Sequence, residues 1–177
     1  MSSLRGTWVQ LRPITAEDLP ELLPWNQDEE INSLADGDYP AEMAAAQEWL
    51  TQILSDRYRK YFVIVLNDEV IGDIELDHIA WRSGDAEMRI RIGRKDLWNQ
   101  GLGTDAVETM LNYAFKRLNL TRIYLRVYAH NKRAIRCYTK SGFVGEGRLN
   151  SRYGKILLMR ITRSEYLDKE NPQTTAV

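Results

Sequence analysis

Two glycines lie directly before a segment with helical spacing of apolar residues, in the sequence WNQGLGT from Trp98 to Thr104. The apolar residues of that segment recur over positions 106–118. The first N–H groups of a helix have no partner within the helix, and the helix dipole is positive at that end. Glycines let phosphate oxygens approach these N–H groups closely. The stretch therefore predicts an anion site, although a tight turn between a strand and a helix would also use glycine.

The glycine stretch lacks the marks of two common nucleotide-binding loops. It is not a P-loop, because no Gly-Lys-Ser or Gly-Lys-Thr follows. It fits a dinucleotide fingerprint poorly, because the third glycine is missing and the order of elements is wrong for an N-terminal βαβ unit. A domain that binds ATP through this loop stays an alternative, and the missing lysine counts against it.

A second segment, NKRAIRCYTKSGF, runs from Asn131 to Phe143, one predicted strand further along. Together the two segments resemble the GCN5-related N-acetyltransferase (GNAT) superfamily. The pyrophosphate loop of that family is Gln/Arg-x-x-Gly-x-Gly/Ala, and a later helix commonly reads Asn-x-x-Ala-x-x-x-Tyr-x-x-x-Gly-Phe. The later pattern matches this sequence at every anchor. In the loop the glycines match, whereas Trp98 replaces the usual Gln or Arg, so the resemblance implies the backbone cradle without that side-chain contact.

The resemblance covers roughly residues 9–166, nearly the whole chain. Ala86-Glu87 before a strand, and the segment GEGRL at 145–149, resemble the branch that holds ribosomal-protein N-terminal (RimJ/RimL-type) and spermidine acetyltransferases. It implies an enzyme that uses acetyl-CoA as cosubstrate, needs no metal, and transfers acetyl to a primary amine by direct attack. A non-catalytic acyl-CoA sensor, or a partner-binding module on the same fold, is the alternative.

The family mechanism implies two catalytic residues. A primary ammonium has a pKa of about 10, so it must lose a proton before it attacks. A carboxylate can take that proton, often through water. The resemblance implies Glu87 as this base, with Glu75 and Asp77 as reserves, whereas Glu87 could instead pair with Arg89. Tyr138 matches the tyrosine that protonates the departing CoA thiolate, and its alternative role is that of a buried aromatic.

The other cofactor contacts are implied by position. Main-chain N–H groups of the strand before the loop would stabilise the oxyanion, as in relatives. Asn131 resembles the residue that contacts the pantetheine arm, and it can also cap its helix. Lys132, Arg133 and Arg136 either reach CoA phosphates or form a solvated helix face. The expected cofactor-binding residues are Ile90, Arg91, Ile92, Asn99, Gln100, Gly101, Leu102, Gly103, Thr104, Asn131, Ala134, Arg136 and Tyr138.

Charge is unevenly distributed along the chain. The 24 Lys and Arg nearly balance the 25 Asp and Glu, and a net charge of -1 argues against a general nucleic-acid binder. Residues 13–56 hold eleven acids and no Lys or Arg, so the remainder has 14 acids against 24 bases. The acidic segment is either a solvated helix pair or a face for a cation. In the second case we expect a cationic acceptor: a polyamine, an aminoglycoside-like amine or a basic peptide N-terminus.

The elements that position these residues follow from periodicity. Strands are predicted at 8–11, 61–66, 70–76, 86–92, 123–127, 143–149 and 156–161, and helices at 15–25, 40–53, 106–118 and 132–141. Pro24 should end the first helix. The order β-α-α-β-β-β-α-β-α-β-β is that of a mixed α/β sheet with helices on its faces, the GNAT fold. We expect one domain over 1–170 and a C-terminal tail at 171–177.

Further features bear on location and partners. Cys137 is the single cysteine, so no internal disulfide can form, and a reducing cytoplasm fits best. We expect no membrane partner, because no apolar run approaches the length of a span and the N-terminus lacks the apolar core of a signal peptide. His78 and His130 have no spacing typical of metal ligands. Homologous folds often pair, so a homodimer is compatible with the sequence, although no segment marks an interface.

Overall fold

The strands of this chain form one mixed sheet. The computed structural model describes residues 1–35 and 37–172. Within them, eight strands follow the order β1-β2-β3-β4-β5-β6-β8-β7, and every neighbouring pair is antiparallel except β5 and β6. The strands are Leu4–Arg5 (β1), Gln10–Pro13 (β2), Lys60–Leu66 (β3), Glu69–Ala80 (β4), Asp85–Ile92 (β5), Arg122–Tyr128 (β6), Val144–Ser151 (β7) and Gly154–Thr162 (β8).

Helices cover both faces of the sheet, which confirms the predicted fold class. Each predicted element is present in the predicted order, and β1, α2 and α6 are additional. A π-helical segment, Tyr113–Arg117, extends α4. No helix in the described ranges is long and apolar enough to cross a membrane. The helices are Leu19–Asn26 (α1), Glu29–Leu34 (α2), Met43–Ser55 (α3), Leu102–Asn112 (α4), Lys132–Lys140 (α5) and Arg163–Glu170 (α6).

Two predicted helix boundaries near prolines are wrong. Pro24 lies inside α1, which continues to Asn26, because Trp25 is buried in the core and holds the last turn in place. The next long helix begins at Met43, not at Pro40. The Pro40 carbonyl instead accepts a hydrogen bond of 2.6 Å from the Asn26 side chain, which ties the loop to the end of α1. As to the predicted tail, α6 ends at Glu170, and residues 173–177 lie outside the described residues.

The sheet separates two hydrophobic cores. Alternate residues of β3 point to opposite sides, so Phe62 and Ile64 join one core while Val63 joins the other. The larger core packs the sheet against α4 and α6, with Phe115 and other aromatic side chains inside it. The smaller core packs the sheet against α1, α2 and α3. Both faces of the central strands are thereby covered.

The parallel strands β5 and β6 pair only over a short length. Their register joins Asp85 to Arg122 and Glu87 to Tyr124, and beyond these residues the described parts of the two strands do not pair with each other. β5 continues to Ile92 and β6 to Tyr128 without a common ladder. The main chain of β5 therefore has an unpaired edge beyond Glu87, and α4 and α5 begin shortly after these separated strand ends.

Candidate active site

All of the residues that the sequence assigned to the cofactor line one cleft. The cleft has a volume of about 460 Å³ and lies beside the part of β5 that no longer pairs with β6. Its walls are the end of β5, the loop that leads into α4, one face of α5, and α2. The lining includes Ile90, Arg91, Ile92, Asn99, Gln100, Gly101, Leu102, Gly103, Thr104, Asn131, Ala134, Arg136 and Tyr138.

The glycine loop turns the chain into α4. Gly101 is the N-cap residue and has φ of +81°, a left-handed conformation that glycine adopts without strain. A Cβ added at Gly101 would meet no atom within 4 Å, so the space beside it is open. Gly103 lies in the first turn, where an added Cβ would make only ordinary contacts with Cys137 and Ile92. Since the first-turn N–H groups have no partner within the helix, the loop can hold an anion.

Trp98 closes the base of this loop. Its indole Nε1 donates to the Ile92 carbonyl oxygen at 2.8 Å and so joins the loop to the end of β5. The guanidinium of Arg133 lies over the indole ring, 3.5 Å from the ring centroid. Gln100 Nε2 donates to the Asp96 carbonyl oxygen at 2.9 Å. The side chains of Trp98 and Gln100 therefore hold the loop in its shape.

Asn131 starts α5 and joins it to α2. Its side-chain oxygen accepts from the Ala134 N–H at 3.2 Å, which is the predicted helix cap. Its Nδ2 donates to the Leu34 carbonyl oxygen at 3.4 Å. The capping prediction is confirmed, and the contact with a pantetheine arm stays a prediction.

Tyr138 lies buried at the inner end of the cleft. Its ring packs edge to face against Phe143, with centroids 5.7 Å apart. Burial raises the pKa of the Tyr138 hydroxyl well above its ordinary value, and the neighbouring Cys137 and Tyr39 add to the rise. The hydroxyl therefore stays protonated and can act as a donor. The thiol of Cys137 accepts a hydrogen bond from Thr104 at 3.5 Å, and burial raises its pKa, which disfavours a nucleophilic thiolate.

On one face of the sheet, acidic residues of β4 lie opposite arginines of β5. Tyr61 of β3 lies on this face, and Tyr39 packs against it. The register places Asp73 opposite Arg91 and Glu75 opposite Arg89. Arg91 Nε donates to Asp73 at 2.9 Å, while its guanidinium lies 3.8 Å from the centroid of the Tyr39 ring. Desolvation by burial raises the pKa of both Asp73 and Glu75. We call these paired strand residues, with Asp77 and Glu87, the polar ladder.

Glu87 is a buried member of this ladder and does not line the cleft. Its carboxylate accepts from Arg89 and from Arg126, each at 3.2 Å, and His78 lies 3.5 Å away. The pairing with Arg89 is the structural alternative that the sequence left open. Asp77 likewise accepts from Arg89, at 2.9 Å. The structure does not bring Glu87 into the cleft with the cofactor residues, and its role as base stays a prediction.

Several lining residues were not predicted from the sequence. Ile31 and Leu34 come from α2, a helix too short to show periodicity. Lys95, which precedes the loop, pairs with Asp28 at 2.8 Å and Glu30 at 2.7 Å, so part of the acidic segment borders the cleft. Among the described residues, no group of His, Cys, Asp and Glu could hold a metal ion. The other unpredicted lining residues are Ala35, Leu97, Trp98, Cys137 and Lys140. Arg133, for which the sequence left open a contact with CoA phosphates or a solvated helix face, also lines the cleft, whereas Lys132 does not.

Comparisons with known proteins agree with this geometry. The family model described as the acetyltransferase (GNAT) domain matches residues 9–144. Spermidine N(1)-acetyltransferase of Vibrio cholerae serotype O1 is 33% identical over 117 residues, which are 63% of this chain and 67% of that protein. The enzyme of the same name from Escherichia coli K12 is 28% identical over 165 residues, 90% of this chain and 88% of the other.

Solved structures show the same fold. The crystal structure of the Vibrio cholerae spermidine N-acetyltransferase in complex with CoA and spermine superposes with a TM-score of 0.83 and 29% identity, over 92% of this chain and 99% of the other. A dodecameric structure of the enzyme from the same organism is 26% identical, with a TM-score of 0.80, over 94% of this chain and 100% of the other. The family model spans more than half of the chain and includes the glycine loop, β6 and α5. The chain therefore belongs to the GNAT acetyltransferase family.

Proposed function

We propose that this protein transfers the acetyl group of acetyl-CoA to a primary amine of a polyamine of the spermidine type. The observation that carries the proposal is the meeting of the glycine loop, the unpaired end of β5 and Tyr138 in one cleft. An N-acetyltransferase needs these three parts: an anion cradle for the cofactor, main-chain N–H groups near the thioester, and a proton donor for the leaving thiolate.

The residues present fit acetyl-CoA as cosubstrate. The open space beside Gly101 leaves the α4 N-terminus accessible to phosphate oxygens. The unpaired edge of β5 over Ile90 and Ile92 offers main-chain groups to the amide-rich pantetheine arm. Arg136 and Lys140, two further lining residues of α5, add positive charge for phosphates. The donor set of the cleft therefore fits the chemistry of CoA from its phosphates to its thioester.

In the proposed reaction, the amine nitrogen attacks the thioester carbonyl carbon and the C–S bond breaks. A β5 main-chain N–H stabilises the oxyanion, an interaction of about 3 kcal/mol in enzymes that use such donors. Glu87, acting through water, takes the proton that the ammonium must lose. Tyr138 donates its proton to the thiolate of CoA, and the second proton, which the amine nitrogen loses as the amide forms, restores the Tyr138 hydroxyl. The buried environment of Tyr138 supports this role, because its raised pKa keeps the proton on the hydroxyl until the thiolate forms.

The choice of a polyamine rests on the relatives and on charge. Two of the relatives are named as spermidine acetyltransferases. A third, from Klebsiella pneumoniae, is named an aminoglycoside N(6')-acetyltransferase. It is 27% identical over 171 residues, which are 89% of this chain and 85% of the other. All three names describe acceptors with several amines. The acidic segment at 13–56 borders the cleft through α2. A cationic acceptor is thereby favoured over a neutral one.

A non-catalytic acyl-CoA sensor is the second candidate, and one observation favours it. Glu87 is already paired with Arg89 and Arg126, so no carboxylate of the polar ladder is free in the described part of the chain to take a proton without a rearrangement. Such a sensor would bind acetyl-CoA without turnover. A cytoplasmic location and assembly into a homo-oligomer are also part of the proposal, the second because a relative forms a dodecamer.

The test is a CoA-release assay on a panel of acceptors, preceded by a binding measurement. We expect CoA, but not ATP, to raise the melting temperature. We then expect turnover with spermidine and spermine, and less with aminoglycosides and short peptides with free N-termini. Turnover confined to peptides or amino sugars would overturn the choice of a polyamine. A rise in melting temperature with ATP but not with CoA would overturn the cofactor.

A further inference from the structure

The pyrophosphate loop of this chain lacks the polar side chain that the family pattern places at its start. Trp98 occupies that position. An indole has one N–H donor, and here Nε1 donates to the Ile92 carbonyl oxygen at 2.8 Å. Trp98 therefore has no donor left for a phosphate. If the cleft holds the diphosphate of CoA, another side chain must supply the charge.

Arg133 lies where it can supply that charge. Its guanidinium lies over the Trp98 ring at 3.5 Å from the centroid, close enough for a cation–π interaction. It lines the same cleft as Gly101 and Gly103. Its side chain is half-buried, and burial lowers its pKa from the ordinary value, although an arginine stays charged in proteins.

The donors of Arg133 are not used within the described part of the chain. No described carboxylate lies within ion-pair distance of its guanidinium, and no hydrogen bond joins it to a described residue. The contact with the Trp98 ring holds the guanidinium in place without using any of its N–H groups in an ion pair or hydrogen bond to a described residue. A half-buried arginine with free donors, fixed beside an anion cradle, is suited to bind phosphate oxygens.

We propose that Arg133, held in place by Trp98, binds the diphosphate of CoA and replaces the side-chain contact that the loop itself lacks. Trp98 is then a positioning residue: it acts through the orientation of Arg133. This inference rests on the proposed function, because it needs CoA as the ligand of the cleft.

The neighbouring Lys132 is a matched control. It carries the same charge one position earlier in α5, but it is exposed and does not line the cleft. If α5 contributed only a general positive field, loss of either charge would weaken CoA binding to a similar extent. If Arg133 makes a direct contact, only its loss should matter.

The experiment is isothermal titration of wild type, Arg133→Gln and Lys132→Gln with three ligands: CoA, dephospho-CoA and pantetheine. We expect Arg133→Gln to weaken CoA and dephospho-CoA binding by about tenfold or more, since charge-assisted hydrogen bonds are lost. Pantetheine, which lacks the diphosphate, should bind both proteins alike, and Lys132→Gln should bind all three ligands like wild type.

Three outcomes would overturn the inference. One is unchanged CoA affinity in Arg133→Gln. Another is a loss seen with CoA but not with dephospho-CoA, which would assign Arg133 to the 3′-phosphate. The third is an equal loss in Lys132→Gln. If wild type itself binds no CoA, the proposed function fails first, so the two failures can be told apart.

The role of Trp98 is tested by Trp98→Leu, alone and combined with Arg133→Gln. Because Trp98 acts through Arg133, the double variant should bind CoA no more weakly than Arg133→Gln alone. Additive losses would contradict a positioning role. Pantetheine affinity and melting temperature, measured in parallel, report any general damage to the cleft.

Discussion

Tyr138 is the residue whose surroundings relate most directly to chemistry. It is buried against Phe143 and lines the cleft beside Ala134. Its raised pKa means that the hydroxyl loses its proton only above the pH at which a free tyrosine would. A proton donor with this property stays in the active form over the whole range in which an amine substrate becomes deprotonated.

We expect Tyr138→Phe to lower kcat by about a hundredfold, the lower end of the range for a lost general acid. The KM for acetyl-CoA should change little, because the phenyl ring keeps the packing with Phe143. In wild type, no alkaline fall in kcat should arise from tyrosine ionisation near pH 10, since the folded-state pKa lies above the ordinary value. A pH profile of kcat measures both, and full activity of the variant would remove Tyr138 from the mechanism.

The role of Glu87 as the base can be tested through the proton that the substrate ammonium must lose. If Glu87 is the base, Glu87→Gln must rely on amine that is already neutral in solution. Its kcat/KM should therefore keep rising with pH toward the amine pKa of about 10, whereas the wild-type profile should level off earlier. Asp73→Asn, in the same polar ladder, is the control for loss of a buried ion pair. If kcat/KM had the same pH dependence in Glu87→Gln and in wild type, Glu87 would have only a structural role.

At the scale of elements, the glycine loop distinguishes a cofactor cradle from a tight turn. Gly101→Ala places a methyl group in the open space of the cleft at φ of +81°, so we expect CoA affinity to fall and stability to drop by about 1 kcal/mol. The methyl group of Gly103→Ala would make only ordinary contacts, so this variant should retain both its CoA affinity and its stability. Isothermal titration and denaturant unfolding measure the two effects.

Gly154→Ala is the matched control for backbone strain. It has φ of +128° and no atom within 4 Å of an added Cβ, but it is the first residue of β8, directly after the turn from β7. It should lose stability without losing CoA affinity. If Gly101→Ala behaved in the same way, the loop would be a turn and not a cradle.

The cap of α6 is a second element whose contribution can be measured. The Thr162 hydroxyl accepts from the Glu165 N–H at 3.2 Å, and the Glu165 carboxylate accepts from the Thr162 N–H at 2.9 Å. Thr162→Ala should lower the free energy of unfolding by about 1 kcal/mol, while Thr162→Ser should retain most of it. CoA affinity should not change, because α6 does not line the cleft. Equal stability of the two variants would contradict this.

The α6 cap should also weaken in acid. Hydrogen bonding from Arg160, with the Thr162 N–H, holds the pKa of Glu165 below its ordinary value in the folded state. Its contribution is therefore complete above the ordinary pKa of about 4.5 and is lost as the pH falls through the lower folded-state value. Unfolding measured between pH 7 and pH 3 should show a smaller destabilising effect of Glu165→Gln at the acidic end, because the carboxylate that this substitution removes is then already protonated. A constant difference would show that the carboxylate is irrelevant to the cap.

The sequence predicted the helices and strands that have strong apolar periodicity or contain the residues of a recognised motif. It did not predict the short or polar helices α2 and α6. The loop and α5 were placed correctly because Gly101, Asn131 and Tyr138 are tied to defined backbone positions. α2 has six residues, less than two turns, and α6 buries only Tyr166, so neither shows an apolar stripe. The capping box of α6 was the available signal. The polar ladder needed strand register, which no local pattern supplies: only pairing places Asp73 against Arg91.

At the scale of the whole molecule, the separation of charge should act on the acceptor. The acidic segment at 13–56 contains no Lys or Arg. A polyamine should therefore gain more from long-range attraction than a primary monoamine, and this gain should be lost with salt, since the Debye length falls from about 10 Å at 0.1 M to about 3 Å at 1 M. We expect salt to raise the KM of spermidine at least about threefold more than that of 1-aminobutane. Equal salt effects on both KM values would contradict the acidic face.

The product balance of a reaction with acetyl-CoA and spermidine distinguishes an acetyltransferase from an acyl-CoA sensor. Free CoA thiol would be followed spectroscopically and acetylated amine by mass spectrometry, in wild type and in Tyr138→Phe. We predict equal amounts of thiol and monoacetylated spermidine in wild type, formed about a hundredfold more slowly in the variant. Tight binding of acetyl-CoA without transfer to spermidine or any other primary amine would contradict the enzymatic account and leave an acyl-CoA sensor on the same fold.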